Sequence, residues 1–224
     1  MNLKILNELE RVIKESPQVL RDPFRLRHLI QATFNVTIMD TGGTLAELTD
    51  KIDEVILAKY FGEIWQPSTK SFKYSGLNVV KEIKALNPRS TVDLGCGYNE
   101  FKEQIPNLIG VDPYNKNADI QVPILDYKPA NKFDCVIALG SINFGSTDKV
   151  FAELEHAVSL CAEGGTMYFR VNPGLKHEPP ESEWISFYNW DANFITNCAS
   201  YFGVSMLDMR NDSKDRIYFV WRKS

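Results

Sequence analysis

Thr91-Val92-Asp93-Leu94-Gly95-Cys96-Gly97-Tyr98-Asn99-Glu100 decides how the rest of the chain is read. Residues 90–94 mix β-branched and apolar side chains and stop at two glycines one residue apart, the pattern of a short buried strand entering a sharp turn. Glycine serves where backbone bends tightly or where something must approach it closely. A helix is expected from about Glu100, its free N–H groups aimed at whatever sits over the turn. Asp93, two residues before the first glycine, puts a carboxylate at the same crevice. That charge repels phosphate and suits a ligand carrying an amine or a sulfonium.

Leu108-Ile109-Gly110-Val111 is a second apolar strand. It ends in Asp112, about twenty residues after the first acid, where a dinucleotide-type fold places its ribose-binding carboxylate. Ile124-Leu125-Asp126-Tyr127 sets a further acid on a loop, and Phe133–Leu139 is a strand running into Gly140-Ser141. Strands are expected at 91–94, 108–111, 120–122, 133–139 and 166–172, alternating with helices or loops, which argues for a parallel sheet covered on both faces. Ser146 to Leu160 reads as a helix, with Gly164 as its C′ residue. Asp191 caps the last helix. Residues 204–209 and 216–221, joined by Asn211-Asp212-Ser213-Lys214, read as an antiparallel hairpin.

The 224 residues fit one domain with an appendage. A net charge of −4 and the lack of any Lys/Arg run give no reason to expect a nucleic acid as partner. Cys96, Cys135, Cys161 and Cys198 are scattered without CxxC spacing, which favours a reduced, cytoplasmic setting. Residues 1–8 are charged too early for a signal peptide, and no apolar run is long enough to span a bilayer.

Residues 1–66 read as a helical cap. Leu3, Leu6, Leu9, Ile13 and Leu20 form one amphipathic stripe. Asp22-Pro23 starts a helix whose apolar face is Phe24, Leu26, Leu29, Ile30 and Phe34. Thr44 and Glu47 have capping-box spacing ahead of Leu45, Leu48, Ile52, Val55 and Ile56. The cap reads either as packing for the main domain, residues 67–224, or as a substrate lid or partner surface. His156, on the 146–160 helix, reads as a surface or packing residue.

The chain resembles the class I S-adenosylmethionine-dependent methyltransferases. Asp93-Leu94-Gly95-Cys96-Gly97, Gly110-Val111-Asp112, Leu125-Asp126, Phe133–Ile137 and Gly164-Gly165 carry the resemblance, over roughly residues 70 to 221. Many members have a third glycine where this chain has Asn99, a residue that tolerates left-handed backbone. The resemblance implies an α/β, Rossmann-like methyltransferase fold with a mostly parallel seven-stranded sheet, a C-terminal antiparallel hairpin and S-adenosylmethionine as cofactor. It implies that Asp93 and the Gly95-Cys96-Gly97 turn face the methionine part and that Asp112 takes the ribose hydroxyls. Pro113 would pack on the adenine, Asp126 would accept its amino hydrogen with Tyr127 nearby, and Leu139, Gly140 and Ser141 would line the crevice under the methyl group. Lys70, Lys73 and Tyr74, on the entry segment, are candidates for the methionine carboxylate; the segment reads equally as a solvated connector.

Methyl transfer from a sulfonium is an in-line displacement that needs mainly positioning, with a base only where the acceptor must lose a proton. Asn143 is a candidate to orient the acceptor, with a loop-turn role as its alternative. His177, on a loop expected at the rim, has a pKa suited to a general base. Trp184, Phe187, Tyr188 and Trp190 either wall the acceptor pocket or pack the last helix. Ser141-Ile142-Asn143-Phe144 stands where exocyclic-amine DNA methylation has Asn/Asp-Pro-Pro-aromatic, and no Pro-Cys pair occurs there. The expected acceptor is a small molecule or a protein side chain. Two other readings stay open: a cofactor-binding module that does not turn over, and an aminopropyl transferase, for which the acceptor segment lacks extra acids.

Overall fold

β-Branched and aliphatic residues favour extended backbone. The computed structural model, which describes residues 1–65, 77–173, 182–212 and 215–224, has Thr91–Leu94 as strand β1, buried at every position. β2 (Leu108–Val111) and β3 (Phe133–Leu139) flank it in parallel, so Asp93 stands beside Gly110 on one side and Ile137 on the other. β4 (Cys161–Val171) runs parallel to β3. β5 (Val204–Asn211) and β6 (Ile217–Lys223) complete the sheet in the order β2-β1-β3-β4-β6-β5. β6 is antiparallel to both β4 and β5, so the last strand in sequence is not the last in space.

Alternation along each strand sends side chains to opposite faces. On one face Val92, Leu94, Val136, Ala138 and Phe169 pack with Leu154 of α5 (Thr147–Leu160) and Ile195 of α6 (Ala192–Phe202). On the other, Cys135, Ile137, Tyr168 and Val220 pack with Val79, Val80 and Ile83 of α4 (Leu77–Leu86). Helices therefore cover both faces of a mostly parallel sheet, the Rossmann-like arrangement expected.

Four expectations are corrected. The sheet has six strands, not seven. Residues 120–122 make a single parallel bridge, Ile120 to Val111, because exposed Ile120 and Gln121 have no face to bury and Pro123 brings no donor. The helix expected from Glu100 is a run of turns over 97–104. Gly97 and Asn99 both adopt positive φ (53° and 57°), which a right-handed helix does not accommodate. Gly164 does not end α5. Cys161 does, already in extended backbone, and Gly164 (φ 74°) lies where the register of β4 against β3 shifts between Cys161 and Thr166.

The chain divides into two units, Met1–Gln66 with His177–Ser186, and Pro67–Lys176 with Phe187–Ser224. The described part of the first is helical. α1 (Leu3–Glu15) is capped by the Asn2 side chain, which also donates to Asp53 Oδ1 and the Trp184 carbonyl, each at 2.7 Å. Its buried stripe is Ile5, Leu9 and Val12, turned away from the expected one, and Leu3 is exposed. α2 (Pro23–Phe34) starts at Asp22 and buries Leu26, Ile30 and Phe34, while Phe24 lies outside against His28. Trp184 meets Phe34 edge-on. α3 (Leu45–Lys59) carries the complete Thr44–Glu47 capping box. Among the described residues no helix is long and apolar enough to cross a membrane.

The capping box gives a direct check. Thr44→Ala removes the side-chain acceptor for the Glu47 amide and should cost about 1 kcal/mol, read as a lowered urea midpoint with unchanged slope.

Candidate functional site

The glycine turn is tied down by its own neighbours. The amides of Gly95 and Cys96 both donate to the Val111 carbonyl, at 2.7 and 3.1 Å, and the amide of Gly97 donates to Asp112 Oδ2 at 3.0 Å. Asp112 Oδ1 accepts from the amides of Tyr114 (2.8 Å) and Asn115 (2.9 Å). With no helix after the turn and these N–H groups committed, the expected fan of free amides over the crevice is absent among the described residues. The close approach at Gly95 is intramolecular. A Cβ there would lie 2.1 Å from Ser141 Cβ, and Ser141 Oγ donates to the Leu94 carbonyl at 2.5 Å.

Asp93 is the unusual group. Its carboxylate is buried, and no described residue donates a hydrogen bond to it. Burial, and then the neighbouring Asp112 charge, raise its pKa to about 7. The same causes, burial first and then Asp93 and Asp112, push the Cys96 thiol far up, so it is no nucleophile at neutral pH. A buried carboxylate short of donors is suited to an ammonium or other hydrogen-bonding cation.

The remaining candidates fall into separate places. Pro113, Leu139 and Gly140 are half-buried at the ends of β2 and β3. Asp126 is exposed at the end of a 3₁₀ turn, Ile124–Asp126. Tyr127 is buried in the core beside Phe133, and its carbonyl meets His156 Nε2 at 2.9 Å. Burial lowers the His156 pKa, so that histidine packs. Asn143 is 1 % exposed, and its Oδ1 accepts the Asn172 amide at 3.0 Å, linking the β3 loop to the end of β4. Asn143 Nδ2 has no partner among the described residues and lies 3.9 Å from where a Gly140 side chain would begin. Trp190 is core, its indole donating to the Ile142 carbonyl at 3.1 Å, and Tyr188 packs edge-on against it. Lys70, Lys73, Tyr74 and His177 lie outside the described residues.

Two residues that the sequence reading passed over matter here. Asp119 Oδ2 accepts from the Gly110 amide and Lys102 Nζ, both at 2.8 Å, and from Asn99 Nδ2 at 3.3 Å, which fixes the segment after the turn. Asn99 lies directly over Gly110, where a Cβ would be 2.3 Å from its Oδ1. Asn172 carries a buried amide oxygen that has no partner among the described residues, just past the end of β4. No periodicity or motif marks either position. A polar cleft of about 400 Å³, lined by Tyr98, Glu100, Lys102 and Asn117 among others, lies beyond the turn and contains none of the expected cofactor residues.

No family model matches the chain, and no curated protein matches it in sequence. Solved structures do match in fold. A 1,6-didemethyltoxoflavin N1-methyltransferase from Burkholderia thailandensis, crystallised with its substrate and S-adenosylhomocysteine, aligns over 84% of this chain and 93% of its own at 12% identity and a TM-score of 0.61. Magnesium protoporphyrin IX methyltransferase from Synechocystis PCC 6803, with bound S-adenosylmethionine, aligns over 83% and 100% at 14% identity and a TM-score of 0.59. An amino pentose methyltransferase from Micromonospora echinaspora aligns over 66% and 89% at 12% identity and a TM-score of 0.52. The chain thus has the Rossmann-like fold of these methyltransferases.

Two outcomes follow from this geometry. Gly95→Ala should destabilise the protein markedly, and should cost less in a Ser141→Gly background than in the parent; an equal cost in both backgrounds would locate the strain in the positive φ (72°) alone. With a native pKa near 7 against an ordinary 3.8, Asp93 favours the fold while protonated, and that contribution disappears as pH rises from about 4 through 7. Asp93→Asn should therefore gain stability relative to the parent between pH 5 and pH 8, by about 2–4 kcal/mol. A pH-independent difference in chemical denaturation would contradict it.

Proposed function

We propose that this chain is an S-adenosylmethionine-dependent methyltransferase that transfers a methyl group in line to a small-molecule or protein acceptor. The observation that carries the reading is the buried, donor-poor carboxylate of Asp93 at the carboxyl end of β1, on a sheet of the methyltransferase kind. Open α/β sheets bind ligands at that edge.

The residues present fit the cofactor in specific ways. Asp93 would accept the ammonium of its methionine part, which supplies the missing donors. Asp112 uses three acceptor sites on backbone amides. A carboxylate has about four, so one remains on Oδ2 for a ribose hydroxyl. Pro113, Leu139, Gly140 and the Gly95-Cys96-Gly97 turn border the same strand ends, Asp126 and Tyr127 stand on the following loop, and Lys73 remains a proposed contact of the entry segment. The bound cofactor would supply an electrophilic methyl on a sulfonium. The chain's part is to orient the acceptor and keep water out.

On the acceptor side, Asn143 is held by the Asn172 amide so that its oxygen is engaged and its Nδ2 donor is left over. It would orient an acceptor atom through a lone pair. His177 remains the proposed base where a proton must leave. The second reading, a cofactor-binding module without turnover, draws on the same place: the polar side chains described at the ends of β3 and β4, Asn143 and Asn172, are amides and cannot take a proton.

Titration calorimetry with S-adenosylhomocysteine tests the first reading. Binding should tighten about tenfold per pH unit below pH 7 and level off above it, because only ionised Asp93 pairs with an ammonium. Asp93→Asn should weaken binding and abolish the pH dependence. No binding at any pH would end the proposal. Incubation with methyl-labelled S-adenosylmethionine and fractionated extract separates the two readings: label in an acceptor supports the enzyme, binding without label the module.

A further inference from the structure

Arg170, near the carboxyl end of β4, is 1 % exposed, and its guanidinium is only partly paired. Nε and Nη2 donate to one oxygen of Asp212, at 2.8 and 2.5 Å. Nη1 is buried and has no hydrogen-bond partner among the described residues. Directly across the strand pairing stands Tyr218 of β6, itself buried, with a hydroxyl that likewise has no partner among the described residues. Charged donors are tolerated out of water when acceptors meet them, and here one donor on each of two residues paired across the strands has none among the described residues.

The surrounding charges are largely paired among themselves. Arg216 is half-buried, and burial, followed by the Arg170 charge, lowers its pKa to about 10, so two cations act on the Asp212 carboxylate. Arg210 of β5 lies 5.0 Å above the Tyr218 ring, but it is paired with Glu82 and Asp208. The pairing places Leu139, Arg170, Tyr218 and Arg210 in one row across β3, β4, β6 and β5, one residue pair short of the last, Val171 with Ile217. Nη1 and the Tyr218 hydroxyl are the donors left over once Arg170 has paired with Asp212 and Arg210 with Glu82 and Asp208, and two leftover donors select an anion and reject an amine.

We infer that Arg170 Nη1 and the Tyr218 hydroxyl form an anion subsite that holds a carboxylate or phosphate group of the molecule receiving the methyl. The identity of the anion's carrier rests on the methyltransferase reading; the subsite does not. β4 is two strands from β1, so the subsite is roughly 10 Å from Asp93 across the sheet. At that separation the anion is a handle that orients the acceptor, and the atom that takes the methyl belongs to another part of the molecule. The two arginine–tyrosine donors therefore restrict the acceptor to acidic small molecules or acidic side chains.

Titration calorimetry at fixed ionic strength, in chloride, with benzoate and with inorganic phosphate as separate probes, tests the subsite. Saturable binding of one probe is expected, weakened about tenfold or more in Arg170→Gln and several-fold in Tyr218→Phe, in line with loss of charge-assisted and neutral donors. Preference for benzoate assigns a carboxylate and preference for phosphate a phosphoryl group. Tyr218→Phe deletes one buried oxygen and decides the matter where Arg170→Gln fails to fold. Absence of saturable binding by either probe, or equal binding in parent and Tyr218→Phe, overturns the subsite. A parallel titration with S-adenosylhomocysteine keeps the two readings apart: its failure with intact anion binding removes the methyl-transfer reading and leaves the subsite standing.

Discussion

The Ser141 hydroxyl bonded to the Leu94 carbonyl joins the carboxyl ends of β1 and β3, and the site depends on that join. It requires a residue without a side chain at 95, because Ser141 occupies the space a Cβ would need. Once the two strand ends are held, the backbone after Leu94 has to turn toward β2, where the Val111 carbonyl accepts both of the next two amides. Asp112 then closes the loop by accepting from Gly97 and from its own following residues. Asp93 is left inside this frame with its carboxylate buried and its donors missing. The frame is paid for by ordinary hydrogen bonds, and the unfavourable group is the one that a ligand would relieve.

Legibility in the sequence tracked how local each determinant was. β1, β2 and β3 were readable because their residues are apolar or β-branched and end at glycine or aspartate. Asp22, Thr44 and Asp191 were readable as caps because a cap is decided within three residues of itself. The stripe of α1 was misplaced because Leu3 and Ile5 fit a helical period equally well, and packing chose Ile5. The missing helix after the turn needed the φ of Asn99, which follows from its side chain seating over Gly110 and Asp119, more than ten residues away. The 120–122 segment read as a strand by composition, yet with one bridge it had no ladder to join.

The candidate site divided the same way. Asp93, Asp112 and the glycines announced themselves by spacing. Arg170 did not, because in sequence it is one charged residue in a buried strand, and only the antiparallel return of β6 sets Tyr218 beside it. Asn143 stood out by position, but its polarity was fixed by the Asn172 amide, twenty-nine residues on. Solved structures of this fold include enzymes for a toxoflavin precursor, a porphyrin and an amino sugar. A fold shared by enzymes with such varied acceptors does not name an acceptor for this chain.

The placement of β6 between β4 and β5 has a bearing on how the chain assembles. Until Ile217–Lys223 has been synthesised, β4 is an open edge and β5 has no neighbour to pair with. A chain that lacks β6 therefore leaves the β4 backbone from Thr166 to Val171 unpaired on that side. Edges of that kind recruit foreign strands. Closure of the sheet therefore waits on its last strand in sequence.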